Sequence, residues 1–488
     1  MKSRLPLNFS VIIRFLGILL MIVSGFMAIS ISWSLYYDET NAVNALAISS
    51  LITFFSGLIL YFFSRRHDLT NIGKKEGYLI VTLTWLSISA FGALPMVISG
   101  AIPSYTDAFF ETISGFTTTG ATVLDDIEGI EKGLLFWRSM THWLGGMGII
   151  VLTLAILPIL GIGGMQLFIA EAPGTTPNRL HPRITQTAKR LWGIYVFLTF
   201  ALTFLLMLGG MDLFHSLNHA FSTMATGGFS TQNDSIAGYS PYIQYMIIFF
   251  MILAGISFAQ HYFLIKGKFR KVLGNEELRF YFTVIGLSTL VLTAAIFIMH
   301  QAGFEKAFRD SLFQIVSIVT TTGFITTDYL QWNGSLWFII FLLMFTGGCI
   351  GSTGGGLKMI RILILVKNTR LELKRLMHPM AVIPVRIDGK AIPQEIITNF
   401  LAFFLLYIML FFAGATLMTV VGMDFTSAIG ASIATLGNIG PAIGSVGPVD
   451  SYAHIPAGGK WILSFFMLLG RLELFTVLLL FSPSFWKK

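Results

Sequence analysis

The chain has 488 residues and a net charge of +8, with 55% hydrophobic and only 11% charged positions, and its mean hydropathy is +0.76. That composition excludes a soluble globular domain. Apolar runs of about 20 residues, each long enough to cross about 30 Å of hydrocarbon as a helix, predict an all-α membrane protein with little left over for a soluble domain.

In chain order, the first run, 9 to 35, follows Lys2 and Arg4 in the manner of a secretory signal. It is longer than a signal core, has no convincing small-residue cleavage site, and is followed within ten residues by a second run, 42 to 63, so both are read as retained spans. The basic residues then cluster in particular loops: Arg65, Arg66, Lys74 and Lys75; Arg179, Arg183, Lys189 and Arg190; Lys266, Lys268, Arg270 and Lys271; Lys367, Arg370, Lys374 and Arg375; and Lys487 with Lys488. This distribution is the positive-inside pattern rather than a nucleic-acid footprint, and it puts both termini in the cytoplasm. The loops between are acidic, with Asp38, Glu39, Asp107, Glu111, Asp125, Asp126, Glu128, Asp212, Asp234, Glu305, Asp310, Asp328, Asp424 and Asp450 on the opposite side. Cys349 is the single cysteine, which rules out an intrachain disulfide and a cysteine-based metal cluster.

After the two leading spans, one short motif returns four times: SGFTTTGATVLDD at 114–126, TMATGGFSTQND at 223–234, SIVTTTGFITTD at 317–328 and ATLGNIGPAIGS at 434–445. Aligning Gly120, Gly228, Gly323 and Gly440 gives spacings of 108, 95 and 117 residues. Around each copy the order is the same. A long apolar helix comes first (77 to 98, 188 to 210, 279 to 300 and 395 to 421), then a segment too short to cross, then the glycine loop, then a second long helix (134 to 158, 242 to 265, 334 to 366 and 458 to 481). The chain is therefore divided into a two-helix extension (1–70) and four repeats (71–160, 161–266, 267–378 and 379–488).

Taken singly, such a loop reads as a surface turn between helices. Irregular backbone at membrane depth is tolerated only where protein or a water-filled cavity surrounds it. Four loops in register, each after a half-span, therefore predict one central pore. Glycine lets a strand turn its carbonyls toward an axis, and four strands supply rings of oxygens able to replace the water shell of a monovalent cation. The candidate filter is Thr118, Thr119 and Gly120; Thr226, Gly227 and Gly228; Thr321, Thr322 and Gly323; and Asn438, Ile439 and Gly440. Thr118, Thr226 and Thr321 can add hydroxyl oxygens, with Asn438 in the equivalent fourth position. The half-helices aim their C-terminal ends, which carry roughly half a negative charge, at the same axis. The acidic residues of the outer loops concentrate cations at the mouth, although any one of them alone reads as a solvated loop charge.

Within the third repeat, GGCIGSTGGGLK (347–358) interrupts the second helix, because each glycine costs about 1 kcal/mol in a helix relative to alanine. A phosphate-binding loop would need a lysine directly after its last glycine, whereas Leu357 separates Gly356 from Lys358. The segment is expected to be a flexible plug, with Gly347, Gly348, Gly351, Ser352, Thr353, Gly354, Gly355, Gly356 and Lys358 as gate residues. Arg471 stands inside an apolar run, and an ionisable residue there is a functional candidate that faces inward. Facing the cavity, its guanidinium would repel cations and act as a valve. Pairing with Glu473 is the structural alternative, but residues two apart on a helix do not face each other, and Lys358 or Arg361 are the other partners open to Glu473. His142, His219 and His261 are expected to be packed or interfacial rather than a proton relay. GIGG at 161–164 is a helix-end turn.

The fourfold unit resembles the superfamily of K⁺ transporters that includes Trk, Ktr and plant HKT proteins, and it does so over essentially the whole chain. TDAFFETISGFTTTGAT, WLGGMGIIVLTLAILPILGIGGMQL, GGCIGSTGGGLKMIRILIL, ELKRLMHP and GRLELFTVLLLFSPSFW resemble the Trk-type pore subunit, TrkH or TrkG, and so do the two leading spans, which Ktr lacks. The resemblance implies that Gly120, Gly228, Gly323 and Gly440 are filter glycines of a pseudo-tetrameric pore. It also implies that 347–358 is an intramembrane gating loop and that the transported ion is K⁺. Its further implications are a homodimer in a bacterial inner membrane, in contact with lipid, and a cytosolic TrkA-like subunit that binds nucleotide. Only the first and third copies keep TTTG, the second reading ATGG and the fourth GNIG, so the ring is asymmetric. A symporter coupling K⁺ to H⁺ or Na⁺ is the rival reading, although no carboxylate stands clearly on the path. No paired carboxylates, metal-ligand spacing or nucleophile elbow favour an enzyme.

Overall fold

The computed structural model describes residues 7–64, 74–151, 181–299 and 303–486. The GIGG turn, the far end of the first repeat's second helix and the basic residues Arg65, Arg66, Arg179, Lys487 and Lys488 lie outside the described residues.

The leading spans are α1 (Phe9–Tyr36) and α2 (Thr40–Phe63). They cross at Gly17 and Gly57, where a Cβ on Gly17 would come within 2.6 Å of the Gly57 carbonyl oxygen. Small residues at a crossing let two backbones approach in lipid, where apolar burial alone gives little driving force. The first repeat follows as α3 (Lys74–Gly92) and α4 (Leu94–Ile98), the half-helix α5 (Tyr105–Phe116) and α6 (Lys132–Val151).

The second repeat comprises α7 (His181–Leu208), the half-helix α8 (Leu213–Ala225), α9 (Pro241–Gly255) and α10 (Phe258–Ile265), with a short α11 (Phe269–Leu273) behind it. The third has α12 (Glu276–Met299), the half-helix α13 (Phe304–Val319), α14 (Gly334–Leu343) and α15 (Met359–Met377). The fourth has α16 (Gln394–Val420), the half-helix α17 (Phe425–Gly437), α18 (Ala457–Arg471), α19 (Phe475–Leu478) and α20 (Pro483–Trp486).

Local chemistry sets the half-helices. Ser104 and Asp424 cap α5 and α17 by accepting hydrogen bonds from the Asp107 and Ser427 N–H groups, which satisfies donors left open at a helix start. At the other ends, Thr118, Thr226, Thr321 and Asn438 take left-handed backbone angles (φ 52°, 55°, 60° and 54°) and end the helical path in all four copies.

Two expected continuous helices are broken. The run 242–265 bends by 100° between α9 and α10, and 458–481 bends by 113° between α18 and α19. At the first break the Gly255 carbonyl accepts from Cys349 N–H at 2.8 Å and Phe258 N–H donates to the Gly351 carbonyl at 3.1 Å. The glycine-rich segment of the third repeat thus takes over hydrogen bonds that a continuous helix would have made. At the second break Glu473 and Leu474 are left-handed (φ 60° and 35°), which swings Glu473 away from Arg471 and onto Arg361. Among the described residues, six helices are long and apolar enough to cross a membrane, or eight if each bent pair is one span.

A small hairpin that was not expected, β1 (Arg386–Ile387) and β2 (Lys390–Ala391), pairs antiparallel between α15 and α16. Its turn is Asp388-Gly389, both with positive φ, the mirror-type turn that suits a two-residue hairpin loop.

Candidate functional site: four glycine strands and the loop beneath them

The four glycine strands close into a ring. A Cβ built on Gly120 would fall under 3.0 Å from the Gly227 carbonyl oxygen, one on Gly228 from Thr322, one on Gly323 from Ile439, and one on Gly440 at 2.6 Å from Thr119. Each repeat therefore abuts the next, and the fourth returns to the first. All four glycines have positive φ (81°, 83°, 82° and 93°), so an L side chain is disfavoured by backbone angle as well as by space. The half-helices end on this ring, with the negative ends of their dipoles toward it. Above it lies a cavity of about 160 Å³ lined by all four glycines, with Thr122, Asp125, Gln232, Asn233, Asp450 and Ser451 on its walls.

The side chains beside the glycines are used differently from the expected ring of hydroxyls. Thr226 Oγ1 donates to Thr353 Oγ1 at 3.3 Å, and Thr321 Oγ1 accepts from Gly355 N–H at 2.7 Å. Asn438 Nδ2 donates to Thr119 Oγ1 and to the Met467 carbonyl, both at 2.9 Å. Thr322 Oγ1 lies 2.7 Å from Thr320 Oγ1. Thr118 Oγ1 is buried without a partner. Two of these hydroxyls thus hold the loop below instead of facing the axis. The Gly440 carbonyl also accepts from the Tyr452 hydroxyl at 2.7 Å, which makes the fourth strand unlike the others.

The segment 347–358 lies beneath the ring and touches the second, third and fourth repeats, while Arg471 links it to Gly145 of the first. Thr353, fully buried, donates to the Met224 carbonyl at 3.1 Å. Gly355 sits where a Cβ would be 2.6 Å from the Gly437 carbonyl and 2.7 Å from Asn438 Cβ. Lys358 Nζ donates to the Gly354 carbonyl and holds the loop on itself. Arg471, the last residue of α18, donates to the Thr353 carbonyl at 2.7 Å and to the Gly145 carbonyl at 2.9 Å. Among the described residues it has no carboxylate partner. Glu473, for which Lys358 and Arg361 were both open, pairs with Arg361.

A brace around the ring was not legible as such. Glu111 and Arg138 form an ion pair at 2.6 Å with side chains only 1% and 2% exposed. Glu111 accepts from Val123 N–H at 2.8 Å and Thr122 Oγ1 at 2.9 Å. Arg138 donates to the Ser230 carbonyl at 2.9 Å and lies 3.5 Å from the Phe229 ring centre. One pair thus fixes the strands leaving the glycine ring in repeats 1 and 2. His219 Nε2 meets Ser230 Oγ at 3.1 Å and Gln314 Nε2 donates to the Thr327 carbonyl at 3.2 Å. Glu111, His219 and Gln314 each stand nine residues before their glycine, a signal visible once the repeats are aligned. Tyr329 performs the same service for repeat 4, donating to the Ala442 carbonyl at 2.6 Å.

This brace corrects one expectation. Glu111 and Asp107 are not free acids at the mouth: Arg138 neutralises the first, and Lys460 the second at 2.5 Å. Asp125 and Asp450 do line the cavity. The three histidines are packed: His142 stacks 4.0 Å from the Phe229 ring, His219 reaches the His215 carbonyl at 2.8 Å, and His261 reaches that of Leu253 at 2.8 Å.

A family model described as TrkH, cation transport protein, matches residues 43–488. The chain is 40% identical to the Trk system potassium uptake protein TrkH of Escherichia coli K12, over 99% of this chain and 100% of that protein. It is 34% identical to TrkG of the same organism, over 90% and 92%. Among solved structures it is similar to the crystal structure of the potassium transporter TrkH from Vibrio parahaemolyticus, with a TM-score of 0.90 and 38% identity, covering 99% of this chain and 100% of that one.

Proposed function

Because the chain belongs to the TrkH family of cation transport proteins, we propose that it is the ion-conducting subunit of a potassium uptake system in a bacterial inner membrane, with both termini cytoplasmic. The observation that carries this reading is the closed ring of glycine strands, each packed on the backbone of the next. A ring of peptide oxygens at four helix C-termini stabilises a partly dehydrated monovalent cation and disfavours an anion. K⁺ enters the cavity past Asp125 and Asp450, sheds water among the strands ending in Gly120, Gly228, Gly323 and Gly440, and meets the loop 347–358. On this reading the loop blocks the path below the ring. Conduction requires it to move, breaking its bonds to Thr226, Thr321 and Arg471.

The basic cytoplasmic loops dock a soluble nucleotide-binding regulator of the TrkA type, and the subunit works as a homodimer. These two parts of the proposal rest on the family alone. The four repeats, 71–160, 161–266, 267–378 and 379–488, follow the two-helix extension.

Rb⁺ uptake into proteoliposomes holding a K⁺ gradient and no other ion gradient tests the function. Uptake under those conditions supports channel-like conduction; uptake only with an added H⁺ or Na⁺ gradient makes the protein a symporter; none at all refutes the reading.

Deleting Gly354 to Gly356 takes away the contacts with Thr321 and Asn438 and is expected to raise Rb⁺ uptake in the absence of any regulator. Unchanged uptake counts against a gate. Arg471→Ala removes a buried positive charge that would repel the ion and an anchor of Thr353, and uptake is expected to rise. A fall in uptake by a folded variant rejects the valve.

A further inference from the structure

Groups that include Thr226, Thr321 and Arg471 hold the loop from the side of the ring, and one carboxylate holds it from behind. Glu277 is the second residue of α12 and is only 6% exposed. Its Oε1 accepts from Ile350 N–H at 2.7 Å and from Ile360 N–H at 3.2 Å. Ile350 lies at the start of the glycine-rich loop and Ile360 in the first turn of α15, just after it, so one oxygen ties both ends of the segment together. The rest of the loop, Gly351 to Lys358, is thereby closed into a lariat whose tip carries Thr353 against the filter.

The chemistry favours a carboxylate at this point. Lys358 is the N-cap of α15 and makes no side-chain cap bond, so the helix start has open N–H donors and a partial positive charge that an anion satisfies. Charge-assisted bonds are roughly twice as strong as neutral ones. The carboxylate also sits on a firm base. Asn275 Nδ2 and Glu276 N–H, beside it, donate to Asp388 of the hairpin turn at 3.0 and 2.8 Å, and Lys367 of α15 pairs with Glu276. Ile360, Leu363 and Ile364 of α15 pack on Val385, Ile387 and Ile392 around the hairpin.

We infer that Glu277 is the positioning residue that latches the gate shut from the cytoplasmic side, by binding both ends of the loop 347–358 to the start of α12. This rests on the reading of that loop as the gate. Opening breaks the bond to Ile350, and a force on the hairpin at Asp388 reaches the latch through Asn275 and Glu276.

The test uses the full chain in proteoliposomes without a regulator and two readouts, Rb⁺ uptake and the maleimide labelling rate of Cys349. Cys349 is the only cysteine, is 2% exposed and stands one residue before Ile350 in the loop. Glu277→Ala is expected to raise uptake by about tenfold or more, the factor that corresponds to loss of a bond to a charged group, and to speed labelling. Glu277→Gln keeps an acceptor oxygen without the charge and is expected to lie between Ala and wild type in both readouts. A folded Glu277→Ala protein with wild-type uptake and labelling overturns the latch; if that variant cannot be purified, wild-type behaviour of Glu277→Gln overturns it. The Gly354 to Gly356 deletion is run in parallel. If the deletion raises uptake while the Glu277 variants do not, the latch fails and the gate stands. If neither does, the gate fails and takes the latch with it.

Discussion

Replacing Gly120, Gly228 or Gly323 with alanine is expected to lower Rb⁺ uptake at least about 100-fold while leaving a folded protein in the membrane. The added methyl at each position meets the backbone carbonyl of the neighbouring repeat at under 3.0 Å, and backbone in a closed ring cannot rotate away as a flexible side chain would. Overpacking costs about 1–3 kcal/mol even where neighbours can shift, and each 1.36 kcal/mol is tenfold in rate. Here the displaced atoms are themselves the proposed ion ligands, so the cost falls on conduction. Gly440 is overpacked as well: its methyl would stand 2.6 Å from the Thr119 carbonyl oxygen and 2.8 Å from the Gly120 carbonyl carbon, and Gly440→Ala is expected to lose uptake to a comparable degree. Equal uptake by all four variants and wild type, measured at equal protein density, contradicts the ring.

Arg138→Met is expected to destabilise the protein by about 3–5 kcal/mol, because Glu111 would be left as an uncompensated buried charge. A lower thermal unfolding temperature in detergent checks the magnitude. The double variant Glu111→Gln with Arg138→Met is expected to recover much of that loss, since removing both charges of a buried pair is often close to neutral. Ion discrimination is expected not to recover with it. Glu111 accepts from Val123 N–H and Arg138 holds the Ser230 carbonyl, so the double variant leaves only a neutral acceptor on the strand after Gly120 and frees the strand after Gly228. Rb⁺ uptake competed by Na⁺ reads this out. A stable double variant with unchanged competition shows that the pair serves folding alone.

The parts of the fold that were legible in the sequence are those fixed by local composition. The spans expected at 9–35 and 42–63 are helices Phe9–Tyr36 and Thr40–Phe63, because twenty apolar residues in lipid have few alternatives. The four glycine strands were legible because a recurring motif needs only an alignment of the chain with itself. The bends after Gly255 and Arg471 were not. Their sequences, LAGISFAQ and LLGRLELF, read as continuous apolar helix, and the first break is made by distant partners, Cys349 N–H and the Gly351 carbonyl. Glu473 shows the same limit: two cations were open to it, and only the left-handed turn at 473 and 474 directs it to Arg361. The hairpin differs, since the Asp388-Gly389 pair between Ile387 and Ile392 carries a turn signal of its own. Glu111 looked like one more outer-loop acid, because nothing local to it reveals that Arg138, 27 residues away, removes its charge from the mouth.

Crystals grown in Rb⁺ or Tl⁺ and measured for anomalous scattering test most directly whether four unequal strands of one chain surround a single cation path. The expected result is anomalous density on the axis of the ring, among the carbonyl oxygens of Thr119, Gly227, Thr322 and Ile439. Strong density elsewhere in the protein, with the axis empty, contradicts it.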